Sequence, residues 1–342
     1  MSFEGSDFDR SAVVRTRKKF LMVTQENNKA DVANRTTDSS ADICVSRSKA
    51  CVVMRPATGA SDLSGVSGVS LPIVFDSPHS GVVMPDDFHT SVPHEALLTG
   101  WDAFVDELWA CVPRHGGTLI AASFPRMYID ANRAVTDIDA DMLDAPWPGP
   151  IAPEKYSARG MGLLRRYALP GMPMYDRKLT VAEVRHRIDA YYQPYRQALI
   201  DAAQDAYARH GALWHVDCHS MKSRGNAMNV DDGAARPDMV VSDRLGTTSD
   251  PAFTQWVADQ LRELGYRVQV NTPYQGGDLL TAVSDPALRR SSLQIEINRA
   301  LYMDEARFVK HAGFDTLGRH LETFTAALAR WVRSQSSPKE IP

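Results

Sequence analysis

From Leu71 onward, short apolar runs alternate with amphipathic stretches of helical length, and this alternation constrains the fold more than any other feature of the chain. Residues 71–75, 118–123, 212–217, 266–271 and 293–297 have the length and apolar character of buried strands, and 127–130 is a further candidate. Between them, residues 94–112 turn Leu97, Leu98, Trp101, Val105, Leu108 and Trp109 toward one side of a helix. Residues 180–207 predict a long helix opened by a capping box of Thr180 and Glu183, with a kink or break at Pro194. Asp250 is placed to cap a helix over 251–264, and residues 304–331 are mostly helical. Strands interleaved with helices predict an α/β fold, with a mainly parallel or mixed central sheet flanked by helices on both faces.

The first 69 residues differ. They are rich in charged and small polar residues, as in Arg15-Thr16-Arg17-Lys18-Lys19, and end in the linker-like Gly59-Ala60-Ser61-Asp62-Leu63-Ser64-Gly65. This composition predicts a flexible extension over 1–69, one catalytic domain over 70–335 and a tail over 336–342. Phe20-Leu21-Met22-Val23 and Cys51-Val52-Val53-Met54 are the two apolar patches able to dock on the domain.

A net charge of −4 gives no general basic surface, so nucleic acid is not an expected partner. No apolar run approaches the roughly 18 residues of a membrane helix. The opening Met1-Ser2-Phe3-Glu4-Gly5-Ser6-Asp7 lacks the layout of a signal peptide. Cys44, Cys51, Cys111 and Cys218 form no dense or paired spacing, which suits a reducing compartment. A cytoplasmic enzyme with a small-molecule substrate is the expectation.

Four segments place polar groups just beyond apolar strands, where open α/β sheets collect their ligands. Asp76-Ser77-Pro78-His79-Ser80-Gly81 presents His79 from a tight turn, either toward a ligand or onto nearby backbone. Asp130-Ala131-Asn132-Arg133 offers an amide and a guanidinium suited to a carboxylate, although Arg133 can instead pair with Asp130 or Asp137. In Trp214-His215-Val216-Asp217-Cys218-His219, alternation puts His215, Asp217 and His219 on one face and turns Cys218 away, which argues against a cysteine nucleophile. That face suits a metal ligand with a carboxylate orienting it, or a hydrogen-bonded strand end. In Gln294-Ile295-Glu296-Ile297-Asn298-Arg299, Glu296 is flanked by isoleucines and needs a partner, either a metal-associated water or a cation such as Arg299.

In this order the segments resemble the N-formylglutamate amidohydrolase (N-formylglutamate deformylase) family, from about Leu71 to Glu322. Gly160-Met161-Gly162-Leu163, Tyr175-Asp176-Arg177-Lys178-Leu179 and Asn271-Thr272-Pro273-Tyr274-Gln275-Gly276-Gly277 add to the likeness, as does Ala300-Leu301-Tyr302-Met303. The family is distantly similar to zinc carboxypeptidases and aspartoacylases. The resemblance implies metal-dependent cleavage of N-formyl-L-glutamate, with histidine catabolism as its context. It implies His79 and His219 as metal ligands, Glu296 as general base, and Asn132 with Arg133 as a carboxylate clamp. The relatives carry their acidic ligand three residues after the first histidine, where this chain has Val82, so Asp102 is the substitute, with Asp217 or Asp76 as the alternatives. Asp76 and Asp217 are expected behind the ligands. Arg165, Arg177 or Arg299 would hold a second carboxylate, with Tyr302 nearby. Zn2+ is the expected ion; iron, cobalt and manganese accept the same donors. Competing expectations are a deacylase of another N-acyl amino acid or short peptide, and a non-catalytic amino-acid-binding relative.

Overall fold

The computed structural model describes residues 43–57 and 70–336. Eight strands build one mixed sheet in the spatial order β1-β2-β4-β3-β7-β10-β8-β9. They are β1 (Ile43–Arg47), β2 (Cys51–Pro56), β3 (Ile73–Ser77), β4 (Thr118–Ala122), β7 (Leu213–Met221), β8 (Met239–Ser242), β9 (Val268–Val270) and β10 (Arg290–Asn298). A separate hairpin joins β5 (Tyr167–Leu169) to β6 (Met172–Pro173). The central strands β4, β3, β7 and β10 run parallel, while β2 and β8 join them antiparallel.

Residues 43–57, expected in the flexible extension, therefore belong to the sheet. Val53 and Cys51 of β2 pair with Ile120 and Ala122 and are buried with them. The patch Phe20-Leu21-Met22-Val23 lies outside the described residues. Strand β8 was not expected. Residues 127–130 form turns rather than a strand: Tyr128 N bonds Pro125 O and Arg133 N bonds Asp130 O.

The helices are α1 (His94–Leu98), α2 (Val105–Leu108), α3 (Val181–Arg187), α4 (Gln193–His210), α5 (Pro251–Glu263), α6 (Asp278–Val283) and α7 (Gly313–Ser336). The helix anticipated over 94–112 is broken into α1 and α2, because Phe104 adopts a left-handed conformation at φ 62° and turns the chain between them. The capping box of α3 forms in both directions, at 3.1 Å from Glu183 N to Thr180 Oγ1 and 2.8 Å from Thr180 N to the Glu183 carboxylate. A π-helical turn at Ile188–Tyr192 widens the backbone just before Pro194, so the chain continues into α4 where a proline in a regular helix would clash. Asp250 caps α5 through Ala252 N at 2.8 Å. Beyond β10, residues 303–310 first make a two-stranded bridge, and α7 begins only at Gly313.

Both faces of the sheet are covered. On one side Phe75, Trp214, Val216, Cys218, Leu293, Ile295 and Ile297 pack with residues of α2, α5 and α7. On the other, Val74, Ile120 and Leu213 pack with residues of α3, α4 and α6. The second face also carries a buried polar line. His215 bonds Asp76 Oδ1 at 2.8 Å and Ser292 Oγ at 2.7 Å, and Tyr195 of α4 donates to Asp76 Oδ2 at 2.7 Å. Parallel strands covered on both faces are uniformly buried, and β7 is buried at all nine positions. At the carboxyl ends of β3, β4, β7 and β10 the helices stop covering the sheet, and there the polar loops converge.

The edge strands give a test of the domain boundary. A chain beginning at Ser70 would strip β2 from β4 and expose Ile120 and its buried neighbours. Its thermal midpoint is expected to fall by at least several degrees, with aggregation at the bare edge. An unchanged midpoint would show that β1 and β2 contribute nothing to stability.

Candidate active site

Each polar group is delivered by a strand end or the loop after it. His79 sits two residues beyond β3 on a turn where Gly81 is needed, since a Cβ there would lie 2.3 Å from Phe124 O. His219 lies near the end of β7, directly across the parallel pair from Glu296 of β10. Asp102 comes from the loop between α1 and α2, where its own N–H bonds His79 O at 3.1 Å. Asp130 and Asn132 come from the turns after β4.

Three of these side chains meet at a point. His79 Nδ1 is 3.0 Å from His219 Nδ1, and Asp102 Oδ2 is 2.9 Å from His219 Nδ1 and 3.4 Å from His79 Nδ1. All three residues are buried, and they form the one His/Cys/Asp/Glu group with metal-ligand spacing among the described residues. The outward nitrogens face carboxylates. His79 Nε2 is 2.7 Å from Asp130 Oδ1, and His219 Nε2 is 2.8 Å from Asp217 Oδ1. A proton held on Nε2 by a carboxylate leaves a lone pair on Nδ1, so two ring nitrogens and a carboxylate oxygen turn electron density on one another. Such an arrangement requires a positive charge, met by a proton on His219 or by a metal ion. Ligands of a tetrahedral ion with bonds of about 2.0 Å stand roughly 3.3 Å apart, close to the separations found. The residues present therefore fit a divalent metal.

The electrostatics agree. Although burial opposes it, Asp102 is held well below the usual carboxylate range by hydrogen bonds from His219 and His79. Asp130 is likewise held low against burial, by Arg126 and His79. His219 is raised well above an ordinary histidine, against burial, by Asp217 and Asp102. Burial pushes Glu296 up to about 7 despite the opposing pull of His219. Its Oε1 accepts from Gln294 Nε2 at 2.8 Å.

The remaining expected residues are placed as follows. Asn132 lines the cleft but is tightly engaged: its Nδ2 donates to Asp217 Oδ2 at 2.7 Å and its Oδ1 accepts from Leu279 N at 3.0 Å. Gly277 packs so closely on Asn132 that a Cβ would lie 2.1 Å from its Oδ1. Arg133 also lines the cleft, half-buried, donating to Met161 O at 3.0 Å and lying 4.3 Å over the Tyr156 ring. It makes no ion pair with Asp130 or Asp137 among the described residues. Arg299 reaches the cleft wall but is committed to Asp102 Oδ1 at 2.8 Å and Ser220 Oγ at 3.0 Å. These bonds set it behind Asp102.

Three of the expected residues lie away from the roles expected of them. Arg177 is exposed and paired with Glu183 at 2.5 Å, outside the cleft. Tyr302 is fully buried and donates to Ala103 O at 2.9 Å, supporting the loop that carries Asp102. Asp76 serves the His215 line rather than either histidine ligand. Three further residues belong to the site: Arg126, whose guanidinium holds Asp130 Oδ2 at 2.7 and 3.2 Å, and Arg236 and Tyr274, which line the cleft. Arg126 stands four residues before Asp130, a spacing that had no signal without knowing Asp130's task. Cys218 lies in the apolar core of the opposite face.

A family profile for N-formylglutamate amidohydrolase matches residues 71–303. The chain belongs to the N-formylglutamate amidohydrolase family. Among solved structures, an N-formylglutamate amidohydrolase from Ralstonia eutropha JMP134 is 45% identical, with 84% of this chain and 99% of that one covered at a TM-score of 0.77. A gene product of Agrobacterium tumefaciens, 16% identical, shares the fold at a TM-score of 0.58 over 84% of this chain and 96% of its own. A comparison with curated protein sequences finds no match. This member of the amidohydrolase family is thus a hydrolase with an α/β fold, and no described helix is long and apolar enough to cross a membrane.

The carboxylates behind the histidines give a test that needs no substrate. Asp130→Asn removes the charge that fixes His79, and is expected to weaken divalent-metal binding by about 10- to 100-fold in competition with a chelator. Wild-type affinity in that variant would detach Asp130 from the metal site.

Proposed function

We propose that this protein hydrolyses N-formyl-L-glutamate to formate and L-glutamate, using a divalent metal held by His79, Asp102 and His219 and Glu296 as general base. The observation that carries the proposal is the convergence of those three donors beside Glu296, in a chain of this family. When bound, the ion supplies Lewis acidity, lowering the pKa of water toward ~7 and favouring negative charge on the formyl oxygen. Zinc suits two imidazoles and a carboxylate, and iron, cobalt or manganese would accept the same set.

The chain's own residues do the rest. Glu296, its Oε1 held by Gln294, accepts a proton from the attacking water as the water oxygen adds to the formyl carbon. Glu296 then returns that proton to the amide nitrogen as the carbon–nitrogen bond breaks, releasing formate and the free amine. Among the described residues Arg133 faces the cleft with carbonyl partners and an aromatic ring, so its guanidinium is available to the α-carboxylate. Arg299 and Tyr302 steady Asp102 and its loop, while Asn132 ties Asp217 to α6. The burial of both histidines and Glu296 limits bulk water at the reacting bond and strengthens each of these contacts.

The deciding experiment is formate release from N-formyl-L-glutamate, before and after chelation and with metal added back. Turnover that chelation abolishes and metal restores is expected; none with any divalent metal would overturn the proposal. Glu296→Gln is expected to keep its metal while losing turnover by at least ~100-fold. His219→Ala should lose both, and a variant retaining metal and activity would remove His219 from the ligand set.

A further inference from the structure

Most charges of the cleft stand against carboxylates of the chain itself. Arg126 is taken by Asp130, Arg299 by Asp102 and Arg236 by Asp231, and Arg165 lies buried 3.9 Å from Asp130 Oδ2. A second cavity, of about 310 Å³, opens beside the cleft. The two share a wall made of Asn132, Arg133, Tyr156, Gly276 and Gly277.

The charges of this second cavity are less well matched. Arg244 is half-buried in its lining and donates to Gly277 O at 3.1 Å. Lys155 donates to Gln275 Oε1 at 3.0 Å. Neither cation has a carboxylate partner among the described residues. Glu154, also on the lining, makes no ion pair among them either, whereas Asp278 is taken by Arg196 at 2.8 Å. Two cations and one carboxylate therefore meet whatever enters. A simple anion would gain from Arg244 and Lys155 but be repelled by Glu154, and a simple amine would meet the reverse. A molecule carrying both charges satisfies all three.

The backbone that delivers Arg244 is held in an uncommon shape. Arg244 and Leu245 are consecutive non-glycine residues in the left-handed region, at φ 51° and 60°. L-residues resist this conformation because Cβ crowds the following carbonyl oxygen. Hydrogen bonds impose it here. Asn271 Oδ1 accepts from Asp243 N at 3.1 Å and from Leu245 N at 3.3 Å. Asp243 Oδ1 accepts from Gly246 N at 2.7 Å and Asn271 Nδ2 at 2.8 Å, and Arg244 N bonds Gln275 O at 2.8 Å. Strain that the surroundings enforce in this way is concentrated where ligands are bound. It sets the base of the Arg244 side chain at the cavity rather than leaving it to wander over the surface.

We propose that the second cavity is a binding site for a free α-amino acid, with its carboxylate on Arg244 and Lys155 and its ammonium on Glu154. The site is separate from the cleft, so both can be filled at once. The choice of amino acid rests on the hydrolytic reading above, under which the cleft next door releases L-glutamate.

The test titrates L-glutamate by calorimetry into metal-loaded Glu296→Gln protein saturated with N-formyl-L-glutamate, so that the cleft is already occupied. Saturable binding is expected. Adding Arg244→Gln or Glu154→Gln to this background should weaken it by at least about 10-fold, and glutarate, which lacks the ammonium, should bind at least ~10-fold more weakly than glutamate. Glu154 is exposed, so its replacement decides the matter even if Arg244→Gln fails to fold. No binding to the filled protein, undiminished affinity in either folded variant, or glutarate binding as tightly as glutamate would overturn the proposal.

If the Glu296→Gln protein does not bind N-formyl-L-glutamate, the hydrolytic reading fails separately. L-glutamate is then titrated into the wild type alone. Binding weakened by both Arg244→Gln and Glu154→Gln sustains the second site, and binding that is absent, or indifferent to either change, ends it.

Discussion

The parallel pairing of β7 with β10, nine residues long and buried at every position but Arg290, is the constraint on which the rest of the site depends. It places His219 beside Glu296 without help from any loop, one on each strand, at the same depth in the sheet. A metal ligand and a base that must act on one water need fixed separation, and neighbouring strands provide it more rigidly than loops do. The loops then contribute what a strand pair cannot: His79 and Asp102 from one side, Asp130 and Asn132 from another. Each is tied to the others by hydrogen bonds, so no single segment has to be stiff by itself.

Carboxylates do two different jobs around this centre. Asp102 turns one oxygen inward and gives the other to Arg299, so its orientation and its charge are both controlled from behind. Asp130 and Asp217 face the outer nitrogens of the two histidines, and each is supported in turn, by Arg126 and by Asn132. Asp102, Asp130, Asp217 and Glu296, gathered around one centre, would repel strongly in an apolar interior. The surrounding arginines and histidines make the cluster tolerable, and they explain why so much positive charge is drawn into a cleft of a chain that is acidic overall.

Much of this was legible in the chain itself. Period-two alternation located His219 opposite Cys218, and the isoleucines around Glu296 announced a buried carboxylate that needed company. Turn and cap signals at Gly81, Thr180 and Asp250 were read from chemistry that acts over three or four residues. What could not be read was the meeting of distant segments. Nothing local distinguishes Arg177, which pairs on the surface, from Arg165, which is sunk in the cleft. Nor does composition reveal that residues 43–57 add two strands to an edge, because a short apolar patch among polar residues looks the same whether or not a partner strand exists. Arg299 shows a subtler limit. Its position beside the site was right, but its partner is the protein's own aspartate.

The buried line of Asp76, His215 and Ser292 has the atoms of a serine hydrolase relay, but all three are wholly buried among the described residues. Its consequence lies in alignment. Sliding β7 by one residue would drive Trp214 into the place of His215, strand Asp76 without its imidazole, and turn His219 into the apolar side of the sheet. Three hydrogen-bonding groups from three parallel strands thus act as a lock on the correct offset. Wrongly threaded sheets are penalised well before any metal or substrate arrives.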